Sequence, residues 1–152
     1  MELTTKQQEG LSEALCRYKN NEKYVVISGY AGTGKSTLVK FIIDALDVDP
    51  NKVVFCSFTG KATEVLRKKG NKNTMTLHKL LYESIPRKGG GFMRIPKLVL
   101  DYTVVVVDEC SMVPKSMVDM LMKHKVFTIY LGDPGQLPVI EKKEPLRLFF
   151  CP

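Results

Sequence analysis

The chain has 152 residues, of which 44% are hydrophobic and 26% are charged, and its formal net charge is +7 at pH 7. This length suits one ordinary domain, and the composition excludes a disordered chain. No apolar run approaches the roughly 20 residues that cross a bilayer, and the N-terminal MELTTKQQEG does not resemble a signal peptide. The lack of such a run predicts no membrane association. The four cysteines are scattered without CxxC spacing, which predicts a reducing compartment, cytoplasmic or nucleoid-associated, and no zinc site.

Apolar periodicity predicts that helices and strands alternate along the chain. In chain order, the expected elements are a helix from Thr4 or Thr5, a strand at 24–28, a helix at 38–46, a strand at 53–58, a helix at 62–70, a brief helix at 77–81, a hairpin at 85–96, a strand at 103–107, a helix at 114–122 and a strand at 127–131. Such alternation predicts an α/β domain with a doubly wound, mainly parallel sheet flanked by helices. No internal repeat or linker divides residues 1–152, so we predict one domain.

The segment after the first predicted strand reads GYAGTGKS and matches the pattern GxxxxGK[ST] at every required position. Glycines let the backbone amides of such a loop point at phosphates, and the helix that follows adds the positive end of its dipole. Lys35 can reach the β- and γ-phosphates, and the Ser36 hydroxyl can coordinate Mg²⁺. A glycine turn without a ligand is disfavoured because a strand precedes the motif and a helix follows it. The predicted nucleotide-binding residues are Gly29, Gly32, Thr33, Gly34, Lys35, Ser36 and Thr37.

Two further segments follow predicted strands and therefore lie at the same edge of a parallel sheet. Asp108 and Glu109 come directly after the run of valines. Asp108 is suited to hold Mg²⁺, and Glu109 is suited to orient and deprotonate an attacking water. Gln136, in GDPGQLP, offers a donor and an acceptor that suit a sensor of the γ-phosphate or of that water, although an ordinary Asp-Pro-Gly turn is the alternative.

The positive charge is concentrated in the middle of the chain. Residues 61–97 hold ten basic and two acidic side chains, which gives a net charge of +8. By contrast, residues 1–60 hold seven basic and seven acidic side chains, and residues 98–152 hold six basic and seven acidic side chains. A localised excess of this kind predicts a track for a polyanion such as nucleic acid.

Taken together, these segments resemble the first motor domain of superfamily 1 helicases, above all the 5′-to-3′ branch of Pif, RecD and Dda-like enzymes. The LxxxQ that begins at Leu3 resembles the Q motif. GYAGTGKST resembles motif I, SFTGKAT at 57–63 motif Ia, TLH at 76–78 the short motif after it, DECSM at 108–112 motif II and GDPGQLP at 132–138 motif III. The likeness extends from residue 3 to about residue 140.

This resemblance implies a RecA-like fold, hydrolysis of ATP with Mg²⁺, and movement along single-stranded DNA with 5′-to-3′ polarity. It implies that Gln7 reads adenine, and a backbone carbonyl is the alternative partner for its amide. It also places motif Ia and the TLH segment against the DNA. The candidate DNA-binding residues are Phe58, Thr59, Lys61, Thr76, His78 and Phe92. For Phe58, stacking on a base and packing in the core are equally good interpretations.

Residues 83–100 lie where relatives carry a small inserted pin that separates duplex strands. Phe92 in this basic hairpin is a candidate wedge, and a mobile surface loop is an equally good interpretation because three glycines stand together at 89–91. The family also continues into a second RecA-like domain, which we expect downstream of Pro152. A different class of function, a non-translocating DNA-binding module such as a loader or a recombination accessory, needs the same nucleotide motifs and stays open.

Overall fold

The computed structural model describes residues 2–133 and the backbone of the strand residues 149–151. In chain order, the elements are α1 (Thr5–Lys19), β1 (Tyr24–Gly29), α2 (Lys35–Leu46), β2 (Val53–Ser57), α3 (Gly60–Lys68), β3 (Thr74–Thr76), α4 (Leu77–Leu81), β4 (Tyr82–Pro86), β5 (Phe92–Pro96), β6 (Val104–Val107), α5 (Lys115–Lys123), β7 (Phe127–Gly132) and β8 (Phe149–Cys151). Short 3₁₀ turns at Pro50–Lys52 and Cys110–Met112 precede β2 and follow β6.

The main sheet has the strand order β3-β2-β6-β7-β1-β8, and each neighbouring pair is parallel. The predicted doubly wound, mainly parallel sheet is therefore confirmed. Because all these strands run in one direction, the loops that follow β1, β2, β6 and β7 leave from the same edge. That edge carries most of the residues singled out in the sequence.

The sheet is buried on both faces, as the unbroken valine run of β6 predicts. One face packs against α1 and α2 through Ala14, Leu38 and Ile42. The other face packs against α4 and α5 through Leu77, Leu80, Leu81, Met117 and Leu121. Alternate residues of β6 point to opposite layers, so that Val104 and Val106 join the first and Val105 and Val107 the second.

The hairpin expected at 85–96 is present and lies outside the main sheet. β4 and β5 pair in antiparallel register from Tyr82 opposite Pro96 to Pro86 opposite Phe92. Gly90 and Gly91 have φ of 90° and 80°, a backbone conformation that residues other than glycine rarely adopt. The triple glycine therefore forms the turn of a two-stranded hairpin.

The sequence missed two strands of the main sheet. β3 has only three residues, and they are half-buried polar and apolar side chains without the apolar run that marks the central strands. β8 extends the sheet beside β1, where Ile27 is opposite Phe149. Within residues 2–133, no helix is long and apolar enough to cross a membrane.

Candidate functional site

The phosphate loop (residues 29–36) connects β1 directly to α2. β1 is buried from Val25 to Gly29, and the loop then emerges at the carboxyl edge of the sheet. Gly32 and Gly34 have φ of 79° and 82°, the left-handed region that favours glycine. The Thr33 N–H and hydroxyl both donate to the Tyr30 carbonyl, at 3.3 and 2.7 Å. The loop is thus closed on itself where α2 begins.

The ammonium group of Lys35 is held by carbonyls of its own loop. Its Nζ donates to the carbonyl oxygens of Gly29 and Tyr30, the second at 2.9 Å. Lys35 is half-buried and Ser36 is exposed in the first turn of α2. Both side chains therefore stand at the positive end of a helix dipole, where an anion is stabilised.

Asp108 and Glu109 leave the sheet at the end of β6. The Asp108 N–H donates to the Cys56 carbonyl at 2.9 Å, which extends the pairing of β6 with β2 by one residue. The chain then turns sharply, because Glu109 has a φ of 51°. A left-handed backbone at a non-glycine residue is uncommon and costs free energy, and such residues cluster at functional sites.

One cavity of about 640 Å³ brings these two segments together. Its wall includes Lys35, Ser36, Asp108 and Glu109, together with Asp133 after β7. The convergence expected from the sequence is therefore present. Thr37 is half-buried in the first turn of α2 and does not line the cavity, and Gly29 is buried at the end of β1. Gln136 lies outside the described residues.

The oxygen donors at this cavity fit Mg²⁺, which is usually bound by one or two protein groups and takes its remaining ligands from water and phosphate. Asp108 supplies a carboxylate and Ser36 a hydroxyl on the same wall. Within residues 2–133, no three His, Cys, Asp or Glu side chains form a dedicated metal cage. The site thus suits a metal that arrives with a triphosphate.

Gln7 contacts the phosphate loop from the start of α1. Its Nε2 donates to the Thr33 carbonyl at 3.4 Å, while its Oε1 accepts from the Thr4 N–H at 3.0 Å. The Gln7 N–H donates in turn to Thr4 Oγ1, which completes a capping box. The alternative partner considered for this amide, a backbone carbonyl, is therefore present.

Motif Ia forms a compact hydrogen-bonded turn after β2. The Thr59 carbonyl accepts from Ser57 Oγ and from Thr63 Oγ1, each at 3.0 Å, and these two hydroxyls lie 2.8 Å apart. Thr59 Oγ1 also caps α3 by accepting from the Ala62 N–H at 3.2 Å. Lys61 is exposed on the first turn of α3. The Thr59 side chain is therefore committed to its own turn, while Lys61 is free to face a partner.

His78 stands between two aromatic rings. Its ring centroid is 5.5 Å from that of Phe58 and 6.2 Å from that of Tyr82. Thr76 caps α4 by accepting from the Lys79 N–H at 3.2 Å. Phe58 is half-buried and packs against the core layer of α4 and α5, so the core interpretation of Phe58 holds for part of its ring.

A second cavity, of about 740 Å³, is lined by residues of α4 and of the hairpin. Its wall includes Thr76, His78 and Tyr82, together with the basic Arg94 and Lys97. Phe92 does not line it and is instead 76% exposed near the hairpin turn. Of the candidate DNA-binding residues, Phe58, Thr76 and His78 therefore lie together, whereas Phe92 is a separate exposed position on the hairpin.

Sequence reasoning missed Lys69 as a neighbour of the nucleotide cavity. Lys69 lies at the end of α3 and lines that cavity together with Ser36 and Asp108. It also lines an adjoining cavity of about 270 Å³. In the sequence, the run RKK at 67–69 has the pattern of a charged, solvent-exposed face. Only the way in which α2 and α3 pack shows that Lys69, unlike the two residues before it, lines the nucleotide cavity.

Comparison with known proteins identifies the family of the chain. Residues 2–150 match a family described as the AAA domain. The chain belongs to the AAA domain family. Two curated relatives of this AAA domain are named helicases. The ATP-dependent DNA helicase dda of Enterobacteria phage T4 is 29% identical over 150 residues, which cover 94% of this chain and 34% of the relative. The ATP-dependent RecD2 DNA helicase of Deinococcus radiodurans is 30% identical over 147 residues, which cover 93% of this chain and 20% of the relative.

The AAA domain also matches Uncharacterized protein R530 of Acanthamoeba polyphaga mimivirus. The two are 32% identical over an alignment of 158 positions, which covers 84% of this chain and 31% of the relative. The chain thus spans between 20% and 34% of the length of these three relatives.

Solved structures show the same fold. Pif1 from Bacteroides sp in complex with ADP-AlF4 superposes with a TM-score of 0.61 at 24% identity, covering 94% of this AAA domain and 35% of that chain. Unliganded Pif1 from Bacteroides sp superposes with a TM-score of 0.58 at 25% identity, covering 95% of this AAA domain and 34% of that chain. The RecA-like fold and the resemblance to the first motor domain of the Pif, RecD and Dda-like branch are therefore confirmed.

Proposed function

We propose that this AAA domain binds MgATP and serves as the first motor domain of an ATP-dependent DNA helicase. The observation that carries the proposal is the placement of Lys35, Ser36, Asp108 and Glu109 on one cavity wall. A lysine, a hydroxyl and two carboxylates at the carboxyl edge of a parallel sheet are the groups that phosphoryl transfer from a nucleotide requires.

Each of these residues takes a defined part in the proposed reaction. The amides of the phosphate loop bind the phosphates, and Lys35 exchanges the carbonyls of Gly29 and Tyr30 for the β- and γ-phosphates. Ser36 and Asp108 would hold Mg²⁺, which when bound neutralises charge on the β- and γ-phosphates. Glu109 orients the attacking water and accepts its proton. Gln136 is assigned to sensing the γ-phosphate or that water, and Gln7 to reading adenine.

We further propose that single-stranded DNA runs over the basic central stretch. Thr76 and His78 line the cavity beside α4 and the hairpin, and the Phe58 ring packs against that of His78. Lys61 is exposed on α3. Aromatic and imidazole rings offer stacking surfaces for bases, while lysines and arginines attract the phosphates. The polarity of movement, 5′ to 3′, follows from the resemblance and is part of the proposal.

We expect a second RecA-like domain to complete the motor, because the resemblance assigns arginines of the ATP site to that domain. Loss of such an arginine costs about 10³ to 10⁵ in turnover in related ATPases. The 152-residue chain should therefore bind nucleotide and hydrolyse it slowly.

The test is calorimetric titration of MgATP into the chain and into Lys35→Ala. We expect the substitution to weaken binding by about tenfold to a hundredfold, since charge-assisted contacts to phosphate are lost. Lys19→Ala is the matched control, because Lys19 is exposed at the far end of α1. Equal affinities for the parent chain, Lys35→Ala and Lys19→Ala would refute nucleotide binding at this loop.

DNA binding is tested separately by the salt dependence of affinity for oligo(dT). The logarithm of the binding constant should fall against log salt with a slope of roughly −0.7 per phosphate neutralised. Lys61→Ala should make that slope shallower and Lys19→Ala should leave it unchanged. A salt-independent affinity would remove the electrostatic track from the proposal.

A further inference from the structure

The nucleotide cavity, the one of about 640 Å³ that the phosphate loop lines, has more acidic than basic side chains on its wall. The described residues of that wall include three carboxylates and two ammonium groups: Asp108, Glu109 and Asp133, against Lys35 and Lys69. A bound triphosphate adds further negative charge to the same space. Because charges at such short range attract or repel strongly, each cation on this wall bears on whether a polyanion binds.

The end of α3 holds the backbone of Lys69 in place. The Lys69 N–H donates to the Val65 carbonyl at 3.1 Å, and the chain then leaves the helix through Gly70, which has a φ of 89°. Asn71 Nδ2 donates to the Leu66 carbonyl at 2.9 Å. These bonds satisfy groups that the end of a helix would otherwise leave without a partner. Lys69 therefore projects from a well-defined helix end.

The direction of α3 explains how Lys69 comes to line the nucleotide cavity. α3 connects the parallel strands β2 and β3, so it begins at the carboxyl edge of the main sheet and runs back from it. Side chains on a helix are tilted toward its N-terminus, and the stem of Lys69 is therefore directed toward the edge that carries the phosphate loop. Both the nucleotide cavity and the adjoining cavity of about 270 Å³ are lined by Ser36, Lys69, Asp108 and Leu131.

The ammonium group of Lys69 is not engaged by a carboxylate in the described part of the chain. The side chain of Lys69 is exposed, and among residues 2–133 it belongs to no ion pair. Arg67, two residues earlier, pairs instead with Glu64 at 3.6 Å. Lys69 can therefore contact an anion in the cavity without losing an ion pair.

We propose that Lys69 is a second cation of the nucleotide site, which contacts phosphate oxygens on the side of Ser36 and Asp108. This inference rests on the proposed function, the binding of MgATP in this cavity. Lys35 approaches the triphosphate from the phosphate loop, and Lys69 approaches it from the end of α3. The contact is with phosphate, so ATP and an inorganic triphosphate depend on Lys69 alike.

The adjacent residues Lys68 and Lys69 provide a matched pair of variants. Lys68 is exposed in the same basic run and lines neither cavity. Calorimetry measures the affinities of the 152-residue chain, Lys69→Gln and Lys68→Gln for MgATP and for magnesium tripolyphosphate, which has no base. Lys69→Gln should weaken both by about threefold to tenfold, because a charge-assisted contact at a solvent-exposed position is lost. Lys68→Gln should bind both ligands as the parent chain does.

Lys69→Arg keeps the positive charge and should retain most of the affinity, which a purely structural effect of the glutamine would not predict. Thermal unfolding of each variant sets a titration temperature at which all are folded. Equal affinities of Lys69→Gln and Lys68→Gln would overturn the proposal, as would a loss confined to MgATP, which points to the base or the ribose. Tighter binding of MgATP by Lys69→Gln would also overturn it, because the lysine would then oppose the metal at Asp108.

Lys35→Ala separates this inference from the proposed function on which it rests. If Lys35→Ala weakens MgATP binding and Lys69→Gln does not, the nucleotide site stands and Lys69 is not part of it. If neither substitution changes the affinity, the cavity does not bind the triphosphate, and both proposals fail together.

Discussion

The backbone N–H of Glu109 donates to Oδ1 of Asp108 at 2.9 Å, so the two acidic residues of the candidate site are linked to each other. The bond accompanies the left-handed turn at Glu109, where φ is 51°. Asp108 is half-buried and fixed at the end of β6, whereas Glu109 is exposed one residue further along. Neighbouring carboxylates with different surroundings suit different roles, one in holding a metal and one in moving a proton.

Asp108→Asn and Glu109→Gln should separate these roles. We expect Asp108→Asn to weaken MgATP binding by about tenfold to a hundredfold, because a charged ligand of the metal is lost. Glu109→Gln should leave affinity within about twofold and lower single-turnover hydrolysis by roughly 10² to 10⁴, the usual contribution of a general base. Calorimetry and rapid-quench hydrolysis check these outcomes. Removal of Mg²⁺ with EDTA should abolish this loss, and Asp108→Asn should then bind ATP at least as tightly as the parent chain, because a negative charge beside the phosphates is gone. Weaker binding by Asp108→Asn that persists in EDTA would contradict a metal role.

Gly34→Ala should destabilise the domain for two reasons. The left-handed backbone conformation at this position raises the free energy of a residue with a Cβ atom by about 1–2 kcal/mol. The new Cβ would also stand 2.8 Å from Gln7 Nε2. We expect a loss of at least that size in urea unfolding, together with weaker nucleotide binding. Gly60→Ala is the matched control, since Gly60 lies in α3 with no atom within 4 Å of its added Cβ. Equal stability of the two variants would show that the phosphate loop tolerates a side chain at Gly34.

Phe92→Ala tests the hairpin as a strand-separating wedge. Phe92 is 76% exposed, so its removal should change the free energy of unfolding by less than about 0.5 kcal/mol. If the ring inserts at a duplex junction, the variant should lose affinity for a forked duplex and retain affinity for single-stranded DNA. Val65→Ala, at a 48% exposed apolar position on α3, serves as the control. An unchanged preference for the fork would leave the hairpin without this role.

Thiol modification should distinguish the cysteines by their surroundings. Burial raises the pKa of the Cys56 thiol to about 12, and burial together with the nearby Asp108 charge raises the pKa of Cys110 to about 12. Both thiols therefore stay protonated and unreactive below pH 9 in the folded chain, while the exposed Cys16 reacts. Peptide mapping after iodoacetamide treatment at pH 8 checks this, and 6 M urea should expose Cys56 and Cys110 to the reagent. Rapid labelling of Cys110 in the native chain would contradict its burial.

Most of the fold was predictable because its strongest signals are local. The valine run before Asp108 and the spacing of apolar residues in α1, α2 and α5 each determine an element without reference to the rest of the chain. β3 was not predictable in this way. Its residues form a strand because Phe55 and Ser57 of β2 offer a free edge opposite Thr74 and Thr76, and that edge exists only in the folded sheet.

The residues of the candidate site also differ in whether the sequence alone predicts them. Lys35, Ser36, Asp108 and Glu109 were predictable, since each follows a strand whose direction fixes the edge where it emerges. Lys69 was not, because its approach depends on how α3 packs beside α2. For Gln7, the sequence offered a backbone carbonyl as one of two partners, but it could not identify Thr33 as its source or the Thr4 N–H as the partner of the amide oxygen, since only the folded chain brings these groups near.

The five residues of α4 include three leucines, Leu77, Leu80 and Leu81, that are at most 1% exposed, while His78 between them is half-buried. A helix this short has no stability of its own and stays in place because its leucines are set into the core. The backbone that carries His78 is therefore held in place by the buried leucines on either side of it. If His78 contacts nucleic acid as proposed, a load on its ring would be passed through these leucines to the main sheet, because α4 cannot move without them.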